Sequence, residues 1–416
     1  MNKIKEYHRA YSCGIIIFFI LLFFIISHFG RPIDQDVVPA YVIDYDTGFG
    51  GRKLLATIFN MLFGFRGMAT IKSFIFAISV VICLLFASLC NSFIVAMKSR
   101  SPRHYLAALY LTVLYLLCPA SIMFLLKAPN YGRPDICLYA SCLLFAALFY
   151  HRNWNRFIYF CVVSLIMIAA ILTTHVFVAT YMTFFVTMFV YDIWSKGFDK
   201  KIFFCYFFLG LVVLAVVLSI LLFSSMNLPL DEAIHYNPHL VLNRKMVCFG
   251  YYAGIANAIN YYVLPKLPRL ATGFLLTVVF LSPLFVALWK IWSDTFRFLN
   301  QKTCKYLLIA MHCSFLLFIP AFCIAVDYPR WFGSLIFIQF LLIAYFAYDR
   351  TSLFSYIGDI LIANLRYYVV YATFLLIYCS ILEYFYSDLY FKIIELIIDY
   401  LDIVKPETLL PPEYRL

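Results

Sequence analysis

Apolar runs of about 20 residues follow one another along this chain, the length that a helix needs to cross the hydrocarbon core of a bilayer. The pattern predicts helices over 12–28, 73–96, 105–126, 135–150, 157–172, 176–193, 202–224, 271–290, 306–326, 332–348 and 367–386. The fold class expected is therefore all-α, a polytopic transmembrane protein of about 11 spans, with interfacial helices in its outer loops. Strands of a membrane barrel would alternate in segments of about ten residues. The ambiguous stretch is 157–193, which serves as two short spans or one long one.

Charge resolves it. The loops HRNWNR (151–156) and SKGFDKK (195–201) are both basic, and basic loops stay on the cytoplasmic side. An even number of crossings must separate them, hence a hairpin with its apex at TTH (173–175). The same rule puts the N-terminus, 98–104, 290–305 and 349–366 inside. The loops 29–72, 127–134, 173–175, 225–270 and 327–331 then lie outside. The first run, CGIIIFFILLFFIIS (13–27), follows Lys3, Lys5 and Arg9, and no small-x-small cleavage signal follows it. It reads as a retained span.

Between the spans, RKLLATIFNMLFGF (52–65) carries Leu55, Ile58, Phe59 and Leu62 at helical spacing, the pattern of a helix lying in the membrane interface. VCFGYYAGIANAINYYVL (247–264) is similarly half apolar. One membrane domain over 1–386 is followed by an amphipathic tail over 387–416. There Glu395, Asp399 and Asp402 share a stripe opposite isoleucines, which places the tail on or beside the bilayer.

Composition agrees: 65% of residues are hydrophobic and 13% charged. In such a chain the net charge of +11 marks cytoplasmic loops and lipid headgroups rather than nucleic acid. The 13 cysteines lie mostly in apolar runs, where they act as small hydrophobes, and only Cys248 falls well inside an outer loop. No disulfide framework and no zinc spacing is expected.

Five basic residues, Arg31, Arg52, Lys53, Arg66 and Lys72, stand in or beside the first outer loop, on the side that basic residues avoid. They point to an anionic ligand. In PIDQDVVPAYVIDYDTGFGGRK (32–53), Asp34, Asp36, Asp44 and Asp46 supply carboxylates, and Gly48, Gly50 and Gly51 allow close backbone approach. Arg52 stands at a helix start, where anions are favoured. A carboxylate can serve as general base on a hydroxyl, and an arginine can grip a phosphate. The bland alternative is a solvated loop.

VDYPRWFG (326–333) places Asp327 and Arg330 at the outer membrane edge, either as a ligand-binding pair or as a helix cap anchored by Trp331. In KAPNYGRPD (127–135), Lys127 and Arg133 bind a phosphate or snorkel to headgroups. LDEAIHYNPHLVLNRK (230–245) contains two acids, His235, His239, Arg244 and Lys245, with no standard metal spacing. Ordinary solvation accounts for it, or a substrate-facing loop that includes Arg244. His175, polar at the hairpin apex, is either a site residue or a hydrogen-bonded helix end.

This layout of many spans, an acid-bearing first outer loop with an interfacial helix, and outer basic residues resembles the GT-C superfamily of membrane glycosyltransferases. In length and layout it is similar to the serotype-converting O-antigen glucosyltransferases of bacteria and their phages. DYDTGFGGRKLLATIF (44–59) and AVDYPRWF (325–332) also resemble phrases of bacterial polysaccharide-assembly membrane proteins, O-antigen polymerases included.

The resemblance implies a multi-pass protein of the bacterial inner membrane, active on its periplasmic face. Its partners would be a sugar carried on undecaprenyl phosphate, an O-antigen acceptor and membrane lipids. Asp44 or Asp46, with Asp44 slightly favoured as nearer the span, would act as the base for inverting transfer. Arg52, Arg133 and Arg330 would hold the leaving phosphate. A metal cofactor is not fixed by these residues: Mg2+ or Mn2+ between DYD and the phosphate stays an open alternative. Many GT-C enzymes carry a large soluble C-terminal domain, and this chain ends in a short tail. A repeat-unit polymerase and a lipid-linked oligosaccharide flippase are the competing expectations. Charges gathered at one surface argue against ion-coupled transport.

Overall fold

The computed structural model describes residues 2–30, 33–118, 121–126, 130–150, 155–299, 302–318, 328–349, 353–354, 356–381, 397, 400–401 and 410–414. Among these the architecture is all-helical, without strands. Leaving single turns and other short helices unlabelled, the chain runs α1 (Asn2–Phe29), α2 (Leu54–Phe63), α3 (Met68–Lys98), α4 (Pro102–Leu117), α5 (Asp135–Tyr150) and α6 (Arg156–Thr173). It continues α7 (Met182–Trp194), α8 (Lys200–Phe223), α9 (Leu267–Phe298), α10 (Lys302–Cys313), α11 (Tyr328–Tyr348) and α12 (Leu365–Ile381). Among the described residues, α3, α6, α8 and Arg330–Tyr348 of α11 are long and apolar enough to cross a membrane unaided, and the bent α9 makes a fifth. Most of the tail, like Lys127 and Asp327, lies outside the described residues.

Local chemistry starts and stops these helices. Ser101 caps α4, its hydroxyl accepting from His104 N at 3.2 Å with Pro102 in the first turn. Asn155 caps α6 and Asp199 caps α8 in the same way. Within α9, Pro283 has no N–H for the carbonyl of Val279, and the helix bends by 59° between the runs Ala271–Val279 and Leu281–Phe298. The Ser282 hydroxyl donates to that carbonyl at 2.7 Å, so the break leaves no orphan.

Two helices mark the extremes of packing. In α11, 89% of the apolar window is buried, whereas in α8 the figure is 22%. Helix α11 is the axis of the core, where Phe337 stacks on Tyr139 with centroids 4.0 Å apart and Phe340 on Tyr115 at 4.5 Å. Helix α8 turns Phe204, Phe207, Phe208, Leu222 and Phe223 outward. Such a surface is far larger than a protein in water leaves bare, and it fits a hydrocarbon environment.

The stretch 157–193 is a hairpin. Helix α6 stops at Thr173, and a single turn at Val176–Ala179 leads into α7. The start of α6 lies against the end of α7: Arg156 Nη1 is 4.0 Å from Asp192 Oδ2, which also accepts from the Tyr206 hydroxyl at 2.9 Å. At that same end of the sequence pattern, His104 meets Asp359 at 2.9 Å, joining two segments expected inside.

Candidate functional site

Segments expected outside meet one another. Asp44 is the N-cap of a 3-10 turn, Tyr45–Thr47, with Oδ1 accepting from Asp46 N at 3.1 Å. The same oxygen accepts from the Tyr236 hydroxyl at 3.0 Å, and Oδ2 accepts from Asn60 Nδ2 at 2.6 Å. Asp44 is buried and held by three donors. Asp46, two residues on, is exposed. Burial and its bond to Asp44 push the Tyr236 hydroxyl well above its ordinary range, with Asp46 adding to the effect. It is a fixed donor.

Lys53 is 1% exposed, with Nζ donating to Thr47 Oγ1 at 3.1 Å and to Gly48 O at 2.8 Å. Burial lowers its ammonium to about 8, with Asp44 pulling the other way. The structure thus puts this lysine inside the loop, holding the turn from within. Gly48 has φ 123°, and a Cβ there would lie 2.4 Å from Ser225 O, so only glycine fits. On either side of it the chain is clasped to the second long loop: Ser225 N donates to Phe49 O and Asn227 N to Thr47 O, both at 2.8 Å.

Arg52 has φ 68°, a left-handed backbone that costs a non-glycine residue about 1 kcal/mol or more. Its Nη2 lies 3.5 Å from His175 Nε2 at the hairpin apex. Two residues singled out from distant parts of the sequence are brought together here. Arginine only donates, so Nε2 is the acceptor and the neutral ring carries its proton on Nδ1. His175 is exposed at the hairpin apex, and Arg52 beside it is half-buried. Packing around the ring and the Arg52 guanidinium beside it lower its imidazole from the ordinary value. Gly51 and Gly250 form adjacent wall: a Cβ on either would stand 3.6 Å from His175 Nδ1 and Arg52 Nη1, respectively.

A second cluster lies on the turn before α5. Arg330 Nη2 pairs with Asp135 Oδ2 at 2.5 Å, with side-chain exposures of 17% and 3%. The partner that the sequence offered Arg330, Asp327, lies outside the described residues. Arg133 sits in the turn that contains Gly132, φ 91°. Tyr41 of the first loop donates to Gly132 O at 2.6 Å and ties this cluster to the first.

Arg244 reaches Asp231 Oδ1 at 2.5 Å and the carbonyl of Tyr414 at 3.3 Å. Asn243 Nδ2 bonds Asp36 at 2.9 Å, and Asn257 Nδ2 bonds Glu413 at 2.7 Å. Residues near the C-terminus therefore pack on the same loop layer.

Tyr236, Asn60 and Thr47 complete the site without having been singled out in the sequence, and Asp135 proves to be a partner. Polar residues of these types are common in loops, and only long-range packing selects them. Among the described residues no group of three or more metal-ligating side chains gathers. No protein-family model, curated protein or solved structure matches the chain.

Proposed function

We propose that this chain is a membrane glycosyltransferase of the bacterial inner membrane. In this reading it has eleven spans, and the clustered loops face the periplasm. It moves a sugar, glucose in the first instance, from undecaprenyl phosphate to a hydroxyl of a surface polysaccharide such as O-antigen. One observation carries the reading: an exposed carboxylate, Asp46, and Arg52 issue from one pinned loop at the end of an apolar helical bundle, with His175 of the hairpin apex against the arginine.

The chemistry assigned to the loop balances. Asp46 takes the proton of the acceptor hydroxyl as its oxygen attacks the anomeric carbon. The bond from that carbon to the phosphate oxygen breaks with inversion, and undecaprenyl phosphate departs with the electron pair. Arg52 meets the developing negative charge. His175, its neutral form favoured by the guanidinium beside it, accepts from Arg52 and orients it. Asp44, with all its donors inside the protein, positions Asp46 rather than acting as the base.

The test is mass analysis of surface polysaccharide from cells carrying the wild-type gene, a deletion, Asp46→Asn or Arg52→Ala. The expected result is loss of one sugar per repeat unit in the deletion and in both variants, with the ladder of chain lengths intact. Collapse of that ladder to single units would instead assign polymerisation. Unchanged glycan in all three strains would end the proposal.

A further inference from the structure

Phe49 is a large apolar ring in a polar loop, 41% exposed, and it does not hang free. Its carbonyl accepts from Ser225 N at 2.8 Å, and the preceding carbonyl, Gly48 O, accepts from the buried Lys53 ammonium at 2.8 Å. The backbone that carries the ring is fixed on both sides, so the ring stays out. The Tyr45 ring lies beside it, nearly parallel at 21° with centroids 6.5 Å apart. Tyr45 is in turn anchored by its N–H, which donates to Thr57 Oγ1 at 3.1 Å. Between the two rings in sequence stands the exposed Asp46.

We infer that Phe49, backed by Tyr45, is a stacking platform for a pyranose ring of the acceptor, with Asp46 at its rim receiving that sugar's hydroxyls. The inference rests on the function proposed above and names what that site recognises. A pyranose has an apolar face of C–H groups that are slightly positive, and the face of an aromatic ring is slightly negative. Its edge is a circle of hydroxyl donors, which a carboxylate accepts. A flat aromatic surface with an acid at its rim matches both properties at once. A lipid chain would use neither the acid nor the fixed orientation, and a phosphate is served by Arg52.

The competing use of an exposed Phe near a membrane is as an interfacial anchor, a role that other aromatic residues also fill but one in which polysaccharide has no effect on the ring. The experiment follows from that difference. Phe49→Leu and Phe49→Tyr are expressed in the deletion strain to matched membrane levels, with Asp46→Asn beside them, and sugar addition to surface polysaccharide is quantified. Purified full-length Phe49→Trp in nanodiscs is titrated with that polysaccharide while its fluorescence is followed.

The expected result is a loss of about fivefold or more for Phe49→Leu, in line with the energy of one aromatic stacking contact. Phe49→Tyr stays within about twofold, and the emission of Phe49→Trp changes saturably. Full addition by Phe49→Leu while Asp46→Asn is inactive would overturn the platform and leave the transferase reading intact. Full addition by both would end that reading as well. A defect in Phe49→Leu with the Phe49→Trp emission indifferent to polysaccharide would likewise overturn the platform, because the ring would then act on something other than the sugar.

Discussion

Lys53 shows what a single buried charge does to a loop. Its ammonium has few routes to water and two oxygens to satisfy, so the turn at Thr47–Gly48 closes around it. Burial lowers its titration from 10.5 to about 8. The unfolded chain therefore holds a proton that the folded one releases between those values, and stability rises with pH across that window. In detergent, the wild-type melting temperature measured against that of Lys53→Met should gain steadily from pH 8 to about 10, by an amount corresponding to no more than about 3 kcal/mol. A flat difference would mean that the ammonium is hydrated.

The residue scale also shows where sequence reading stops. The loop DYDTGFGGRK stood out from its composition, and so did His175 from its polarity within an apolar run. That Asp44 turns in and Asp46 turns out was not legible, because the difference is made by Tyr236, a residue far along the chain that donates to Asp44. Asp44, the nearer of the two to a span, is the buried one.

At the scale of elements, periodicity and charge located most of the helices, and the parity of basic loops gave the hairpin at 157–193. The partner of Arg330 was beyond reach: Asp135 at the head of α5 and Arg330 near the head of α11 meet only because the helices pack. Removing one member leaves a buried charge without compensation, at a cost of about 3–5 kcal/mol, whereas removing both costs far less. Asp135→Asn and Arg330→Met should each lower the folded yield sharply, and the double variant should recover much of it. Additive losses in that cycle would show that the pair does not bind the two helices.

Helix α2 illustrates a subtler limit. Leu55 and Phe59 face the protein, but Ile58, Met61, Leu62 and Phe63 are exposed. The expected apolar stripe splits into two faces, one for the core and one for lipid. Periodicity around the helix cannot distinguish these fates, since both surroundings reject water.

For the whole molecule, the informative result is which segments find each other. The first loop bonds to the 225–245 loop, to the hairpin apex and to the turn at 130–133, and Glu413 and Tyr414 pack on the same layer. His104 and Asp359, expected on the other side, bond to one another. Cysteines introduced at Asp46, His235 and Glu413 should react with an impermeant maleimide from one side of the membrane. A cysteine at Asp359 should react only after permeabilisation. Labelling of residues 46 and 413 from opposite sides would contradict the fold itself.

The hairpin has a mechanical consequence. Its arms, 18 and 13 residues, amount to about 27 and 20 Å of helix, beside about 46 Å for the 31 residues of α3. In the function proposed above, a hydrocarbon layer of about 30 Å would lose depth beside the shorter arm, and the leaflet would dip toward His175. A lipid arriving at that dimple would bring its headgroup down to the guanidinium of Arg52 with its tail still in oil. A membrane thinned at one place would then deliver the anion without the lipid having to be pulled free.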